Sequence, residues 1–223
     1  MAHELRVATR SGRLTIIGEA RDDFLVDGGQ VADDDGGAVT VEPYRGSRAV
    51  TIRCPAGTDV VAGTSSGHLR FAGDLGAVRL TTMSGKIEVD TVTSIDIRAM
   101  SGSVTVESCT DECRVKTKSG KVKIGSAGSV SIAVGSGSIR VGDVGGQVGV
   151  RAISGTVEVG AGGRGPVAIE TMSGKVSITL PSSCRPNVRA KSLSGRHRIE
   201  LPHGDDVDVT VKTLSGGITV AGR

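Results

Sequence analysis

A Ser-Gly dipeptide occurs ten times in the chain, at Ser11, Ser66, Ser84, Ser101, Ser119, Ser136, Ser154, Ser173, Ser194 and Ser215. A serine hydroxyl becomes a nucleophile when a base and an orienting acid stand beside it. That chemistry needs one serine, not ten. No nucleophile elbow with a paired acid and base is recognisable, and Gly135-Ser136-Gly137 is one more copy of the dipeptide. The serines are expected to make turns.

Cysteine and histidine are the next candidates. Cys109-x3-Cys113 could offer two thiolates to a metal or a redox pair, but a structural zinc site takes four ligands and no second pair exists. His3, His68, His197 and His203 are scattered, and no second His or carboxylate recurs at ligand spacing. Gly160-Ala-Gly-Gly-Arg-Gly165 has the look of a phosphate loop without its Lys-Ser/Thr or a following helix. The expectation is no catalytic residue, no metal site and no cofactor.

The elements that carry these residues form a repeat. From Ser66 onward the serines are spaced 18, 17, 18, 17, 18, 19, 21 and 21 residues apart. Six residues before the serine stand Val60, Val78, Ile95, Cys113, Val130, Val148, Val167, Val188 and Val209. Four before it stand Ala62, Leu80, Ile97, Val115, Ile132, Val150, Ile169, Ala190 and Val211. Two before it come small residues, Thr64, Thr82, Ala99, Thr117, Val134, Ala152, Thr171, Ser192 and Thr213. Three and five after it are mostly Ile or Val, as in Ile87 and Val89. A period of two marks strands with one buried face.

A unit of 17–21 residues holding two short strands cannot bury its apolar face alone. It must stack on its neighbours. The expected fold is all-β: a single-domain parallel β-solenoid over residues 1–223, one unit per coil, with Ser-Gly corners where glycine takes positive φ. Residues 48–220 are expected to form regular coils. Residues 1–47 are expected to form irregular coils and a cap, although Leu5, Val7, Leu14 and Ile16 fit the columns. Ile52-Arg-Cys-Pro55, Ile178-Thr-Leu-Pro181 and Ile199-Glu-Leu-Pro202 are one recurring element, in which proline ends a strand and opens a longer corner.

The columns place the remaining candidates. Cys113, Cys109 and Cys54 stand where other units have Val, Ala or Leu, so they are expected to be buried packing residues. Cys184 is expected to be the exposed thiol. His197 takes the first inward column after Ser194, either buried with a partner or turned out by local twist. Lys86, Lys121, Lys123, Arg140, Lys175, Arg196 and Arg198 follow the corners at outward positions. They form either a solvated face, interrupted by Glu88 and Glu158, or a basic stripe for an anionic surface. The residue just before the serine is Met83, Met100, Ile153, Met172, Leu193 or Leu214 in six units. Alternation turns it outward, as a face for self-association or a partner; a bent corner would fold it in.

Composition agrees with a thin aliphatic interior. The 223 residues include 34 Gly, 30 Val, 14 Ile and only three aromatics, Phe24, Tyr44 and Phe71. So few rings leave no stacking surface, and nucleic acid is not an expected partner. A net charge of +3 gives no strong field for a polyanion. No window approaches the roughly 18 apolar residues of a membrane span, and the start has no signal-peptide core, so a cytoplasmic location is expected.

The SGxVxV units, the CPAGTDVVAGTSSG opening and the LPSSCRPNVRAKSLSG closing element resemble a bacterial β-strand-repeat family of unknown function labelled "putative adhesin". The resemblance covers nearly the whole chain. It implies a parallel β-helix and brings no catalytic residues with it. A more distant architectural similarity is to bactofilins, cytosolic β-helices that polymerise end to end.

Three functions are left to distinguish. The first is a non-enzymatic structural or interaction module that self-associates, as a dimer or end to end, or binds a partner. The second is an adhesin-like module for a glycan, a polymer or a cell-envelope component. The third is a polysaccharide-acting enzyme, which these minimal coils give little room for. The end closing at Leu214-Ser-Gly-Gly-Ile-Thr-Val220 is the expected docking edge, because the backbone groups of a terminal coil have no neighbour.

Overall fold

The computed structural model describes residues 4–34, 38–44 and 49–223. Among them there is no helix. The strands are β1 (Glu4–Thr9), β2 (Arg13–Glu19), β3 (Leu25–Asp27), β4 (Gly29–Asp34), β5 (Ala38–Pro43), β6 (Ala49–Pro55), β7 (Asp59–Val144), β8 (Val148–Ala161), β9 (Val167–Leu180), β10 (Pro186–Ser194), β11 (His197–Ile199), β12 (Val207–Ser215) and β13 (Ile218–Gly222). They form a mostly parallel β-solenoid, with antiparallel pairing only where β3 meets β6 and β4 meets β5. The coils fall into two compact units, Met1–Thr110 and Asp111–Arg223.

The long β7 is not one straight strand. It is extended chain that turns at Gly67, Gly85, Gly102, Gly120 and Gly137, each with positive φ. The corner glycines of the repeat, from Gly67 to Gly174 and again at Gly216, have φ between 126° and 147°. Side-chain-bearing residues avoid this region. A second constraint comes from stacking. A Cβ on Gly155 would lie 1.8 Å from the carbonyl oxygen of Gly137, and one on Gly174 would lie 1.8 Å from that of Gly155.

The small residue two before the serine has a defined task. Thr64, Thr82, Thr117, Thr171 and Thr213 are buried, and each hydroxyl donates to the carbonyl of the corner serine two residues on, at 3.0–3.3 Å. The hydroxyl so ties the inward threonine to the backbone of the corner that follows it. Thr117→Val keeps the volume and removes the donor. A loss of about 1 kcal/mol is expected in urea unfolding; an unchanged midpoint would show that water already serves the Ser119 carbonyl.

The core columns are filled as the periodicity predicts. Phe71 is the largest fully buried side chain of the Met1–Thr110 unit, beside Leu69, Leu80, Ile87 and Ile97. In the Asp111–Arg223 unit, Val150, Ile169 and Val211 share one register column, and Val159, Ile178 and Val220 another.

Rung order departs from chain order at both ends. In the first unit β1 pairs with β5 on one side and with Asp59–Thr64 on the other, while β2 lies between β6 and His68–Gly73. Residues 4–19 are therefore a full coil and the second rung, and β5 and β6 make the outer one. In the second unit Val209 faces Val167 on one side and Val188 on the other. The coil of β12 and β13 is thus held between β9 and the coil of β10 and β11. The glycine corners repeat this order: Gly216 packs on Gly174, and Gly195 packs on Gly216.

This corrects the expected docking edge. Residues 214–220 are interior, paired on both sides; the last rung is 186–199. The three Ile-x-x-Pro elements lie where the chain leaves one-coil-per-rung order. After Pro55 the chain passes the rung of residues 4–19, aided by a turn in which the buried Thr58 hydroxyl donates to the Pro55 carbonyl at 2.6 Å. After Pro181 it passes the rung that β12 later fills. After Pro202 it steps back into that rung.

Candidate functional site

The residues before the corner serines are exposed. Met83 and Met100 lie outward in the first unit. In the second unit registers place Ile153, Met172, Leu214 and Leu193 on four successive rungs, because Ser154 faces Ser173, Ser173 faces Ser215 and Ser215 faces Ser194. Rungs are about 4.8 Å apart, so these four side chains make one continuous apolar ladder. Its last member, Leu193, is 85% exposed. The corner does not bend these residues inward, and beside Met83, Met172 and Leu214 the preceding threonine is the residue turned in and hydrogen-bonded.

The basic residues do not form an unbroken stripe. Thr156 lies between Ser138 and Lys175 in register, and Glu158 lies between Arg140 and Ser177. Arg140 donates to Glu158 at 2.7 Å, which holds the Glu158 carboxyl below its usual range and raises the Arg140 guanidinium. Arg198 pairs with Glu200 at 2.6 Å. Lys86 pairs with Glu88, and His68 Nε2 also meets Glu88 at 2.7 Å. Lys86 and then His68 lower the Glu88 pKa. Lys121 and Lys123 stand side by side on one outward face, and Lys175 has the neutral Ser177 beside it on its own rung. Arg196 is exposed on the terminal rung.

All four cysteines are buried and none is in a disulfide. Cys54, Cys109 and Cys113 sit in the core columns. Cys184 corrects the expectation of an exposed thiol. Its sulfur lies under the 160–165 loop, 3.3 Å from where a Cβ on Gly163 would sit, and its amide donates to Pro181. Burial pushes the Cys54 and Cys184 thiols up. A thiol whose pKa is raised by folding resists ionisation that the unfolded chain undergoes, so stability is expected to fall as pH rises past about 8.5. Thiol titration with an aromatic disulfide reagent should find all four slow in the native protein and fast in denaturant. A fast native thiol would contradict the burial.

His197 is exposed on the short strand β11. It faces Ile218, in a core column, but no further rung covers it. Gly63-Thr-Ser-Ser-Gly67 does have the spacing of a nucleophile elbow around Ser65. It lies in β7 at a coil corner, whereas the elbow joins a strand to a helix. The serine corners are occupied structurally, by glycine packing between rungs and, at Ser66, Ser84, Ser119, Ser173 and Ser215, by threonine donation from within. Among the described residues no three His, Cys, Asp or Glu are grouped to hold a metal ion, and no helix is long and apolar enough to cross a membrane.

The two ends of the strand order differ, and sequence reading alone missed this. β4 and β10 are its two terminal strands. Below the outer rung of the first unit, β3 and β4 pair antiparallel with β6 and β5, and Val39, Val41, Val50 and Ile52 are all buried. At the other end β10 pairs only with β12, and β11 only with β13. Val188 and Ala190, fully buried columns elsewhere, are half-buried there, and Ile199 is 46% exposed. The signal in the sequence was the 21-residue spacing beside Pro181 and Pro202.

A family model described as Toastrack DUF4097 matches residues 2–221. No curated protein matches the chain. Solved structures similar to it include one titled a "putative cell adhesion protein" from Clostridium sporogenes, with 10% identity, a TM-score of 0.23 and coverage of 100% of this chain and 93% of that one. Another is titled a "putative adhesin" from Bacteroides fragilis, with 14% identity, a TM-score of 0.26 and coverage of 98% and 92%. The match over nearly the whole length places the chain in the Toastrack DUF4097 family.

Proposed function

We propose that this member of the Toastrack DUF4097 family is a non-enzymatic scaffold that self-associates through the terminal rung of its second unit. The observation that carries this reading is the uncovered rung of β10 and β11. A parallel strand with no outer neighbour leaves backbone donors and acceptors ready for another strand, and here the apolar residues of the core columns are open beside them. The Ser-Gly corners, the sites most like a nucleophile, are used for packing.

Light scattering of the full chain over a wide concentration range tests this. Growth in mass with concentration is expected, and Ile199→Asp should suppress it. A strict monomer at every concentration would overturn the reading.

A second reading is favoured by the apolar ladder: an adhesin-like module binding a cell-envelope component, glycan or polymer along the side of the coils. Met172→Lys with Leu214→Lys would then abolish co-sedimentation with purified cell-wall material. Equal sedimentation of variant and wild type would reject it.

A further inference from the structure

The charge at the two ends of the strand order is opposite. Between Glu170 and Glu200 the sequence has six cations, Lys175, Arg185, Arg189, Lys191, Arg196 and Arg198, and no carboxylate. Five of them belong to the terminal rung or its entry. Arg189, Lys191 and Arg196 are exposed and make no ion pair with any described residue. Between Arg21 and Arg45 there are seven carboxylates, Asp22, Asp23, Asp27, Asp33, Asp34, Asp35 and Glu42, and no cation. This segment carries β3 and β4, the strands at the opposite terminus. Asp22, Asp27 and Glu42 are exposed there without ion pairs to described residues, beside exposed Leu25, Val31 and Tyr44.

We infer that the occupant of the β10–β11 edge is the β3–β4 edge of a second copy of this chain, in head-to-tail order. This rests on the self-association reading and specifies its partner surface. Two β10–β11 edges brought together would set cations against cations, and like charges across a contact disfavour that pairing. The β3–β4 edge offers the opposite sign and apolar side chains to cover Val188, Ala190 and Ile199. Such a contact joins unlike surfaces, so each added copy leaves one end free. It generates open chains or rings rather than a closed dimer.

The test uses the full chain in light scattering and electron microscopy. At about 0.1 M salt the Debye length is about 10 Å, and at about 1 M it is about 3 Å. Wild-type protein is expected to form multimers of graded length at the lower salt and to shorten at the higher. Arg189→Glu with Lys191→Glu, and separately Asp27→Lys with Glu42→Lys, should each be monomeric alone. Mixed together, the acidic β10 edge of the first variant meets the basic β3–β4 edge of the second, the two untouched edges match as in the wild type, and alternating multimers should form.

Wild-type dimers that close symmetrically, or association indifferent to both charge reversals, would overturn the head-to-tail pairing while leaving self-association standing. A monomer under all conditions would overturn both. If either variant fails to fold, the salt response and the particle geometry of the wild type still decide.

Discussion

Gly155→Ala is expected to destabilise the protein by more than about 4 kcal/mol or to prevent folding of the Asp111–Arg223 unit. Two independent costs fall on one atom. The backbone at Gly155 has a φ of 131°, which an L-residue rarely adopts. Holding a non-glycine there costs on the order of 1–3 kcal/mol. The added Cβ would also lie 1.8 Å from the Gly137 carbonyl oxygen of the rung below. Backbone cannot swing aside as a flexible side chain can, and moving it would break the ladder of the parallel strands. Gly174 stands on Gly155 in the same way, so a shift at one corner is passed to the next. Gly145→Ala is the matched control. Its Cβ would meet nothing within 4 Å and its φ is not positive. It is expected to be neutral or to gain up to about 1 kcal/mol. Denaturant midpoints of the two variants decide the matter. A Gly155→Ala midpoint near the wild-type value would show that the corners do not stack as described.

Phe71→Ala is expected to cost about 3–5 kcal/mol in the Met1–Thr110 unit. Phe71 is wholly buried and occupies a column that holds Val89 and Val106 in the next coils. In register it faces Ile16, which in turn faces Ile52. The ring therefore fills the coil on which residues 4–19 are laid. Its removal leaves a cavity that aliphatic neighbours of fixed rotamer cannot close. Phe71→Leu should recover most of the loss. Chemical unfolding followed by circular dichroism measures both; a loss below about 1 kcal/mol for Phe71→Ala would mean that the residues 4–19 coil packs without it.

The fold was legible because its rules are local and repeated. Alternation assigned Val115, Ile132 and Val150 to the core, and the spacing of the serines located each glycine corner. The function of threonine at the corner was only half legible. Its small size marked the column, but the hydroxyl bond from Thr117 to Ser119 needs the geometry of the turn. Cys184 was misjudged for a related reason. Its segment reads as a surface loop, and only the approach of Gly163 from another loop covers it. The candidate surface was legible as a column of Met, Leu and Ile but not as a surface. Its outward direction depended on whether the corner followed strict alternation, and its continuity depended on which rungs are neighbours.

The sequence by itself determined the coil: two short strands, a glycine corner, an aliphatic interior too narrow for rings. These follow from side-chain periodicity and backbone sterics within about 20 residues. Only the tertiary structure decided the order of the rungs. Every coil carries the same columns, so any coil matches any other in register, and the pattern cannot distinguish Val167 beside Val188 from Val167 beside Val209. The choice is made by connections beside Pro55, Pro181 and Pro202 that pass over a rung, and by strands that arrive later to fill it. That choice pairs β12 and β13 on both sides, opens β10 and β11, and puts a basic edge and an acidic edge at opposite ends of the strand order.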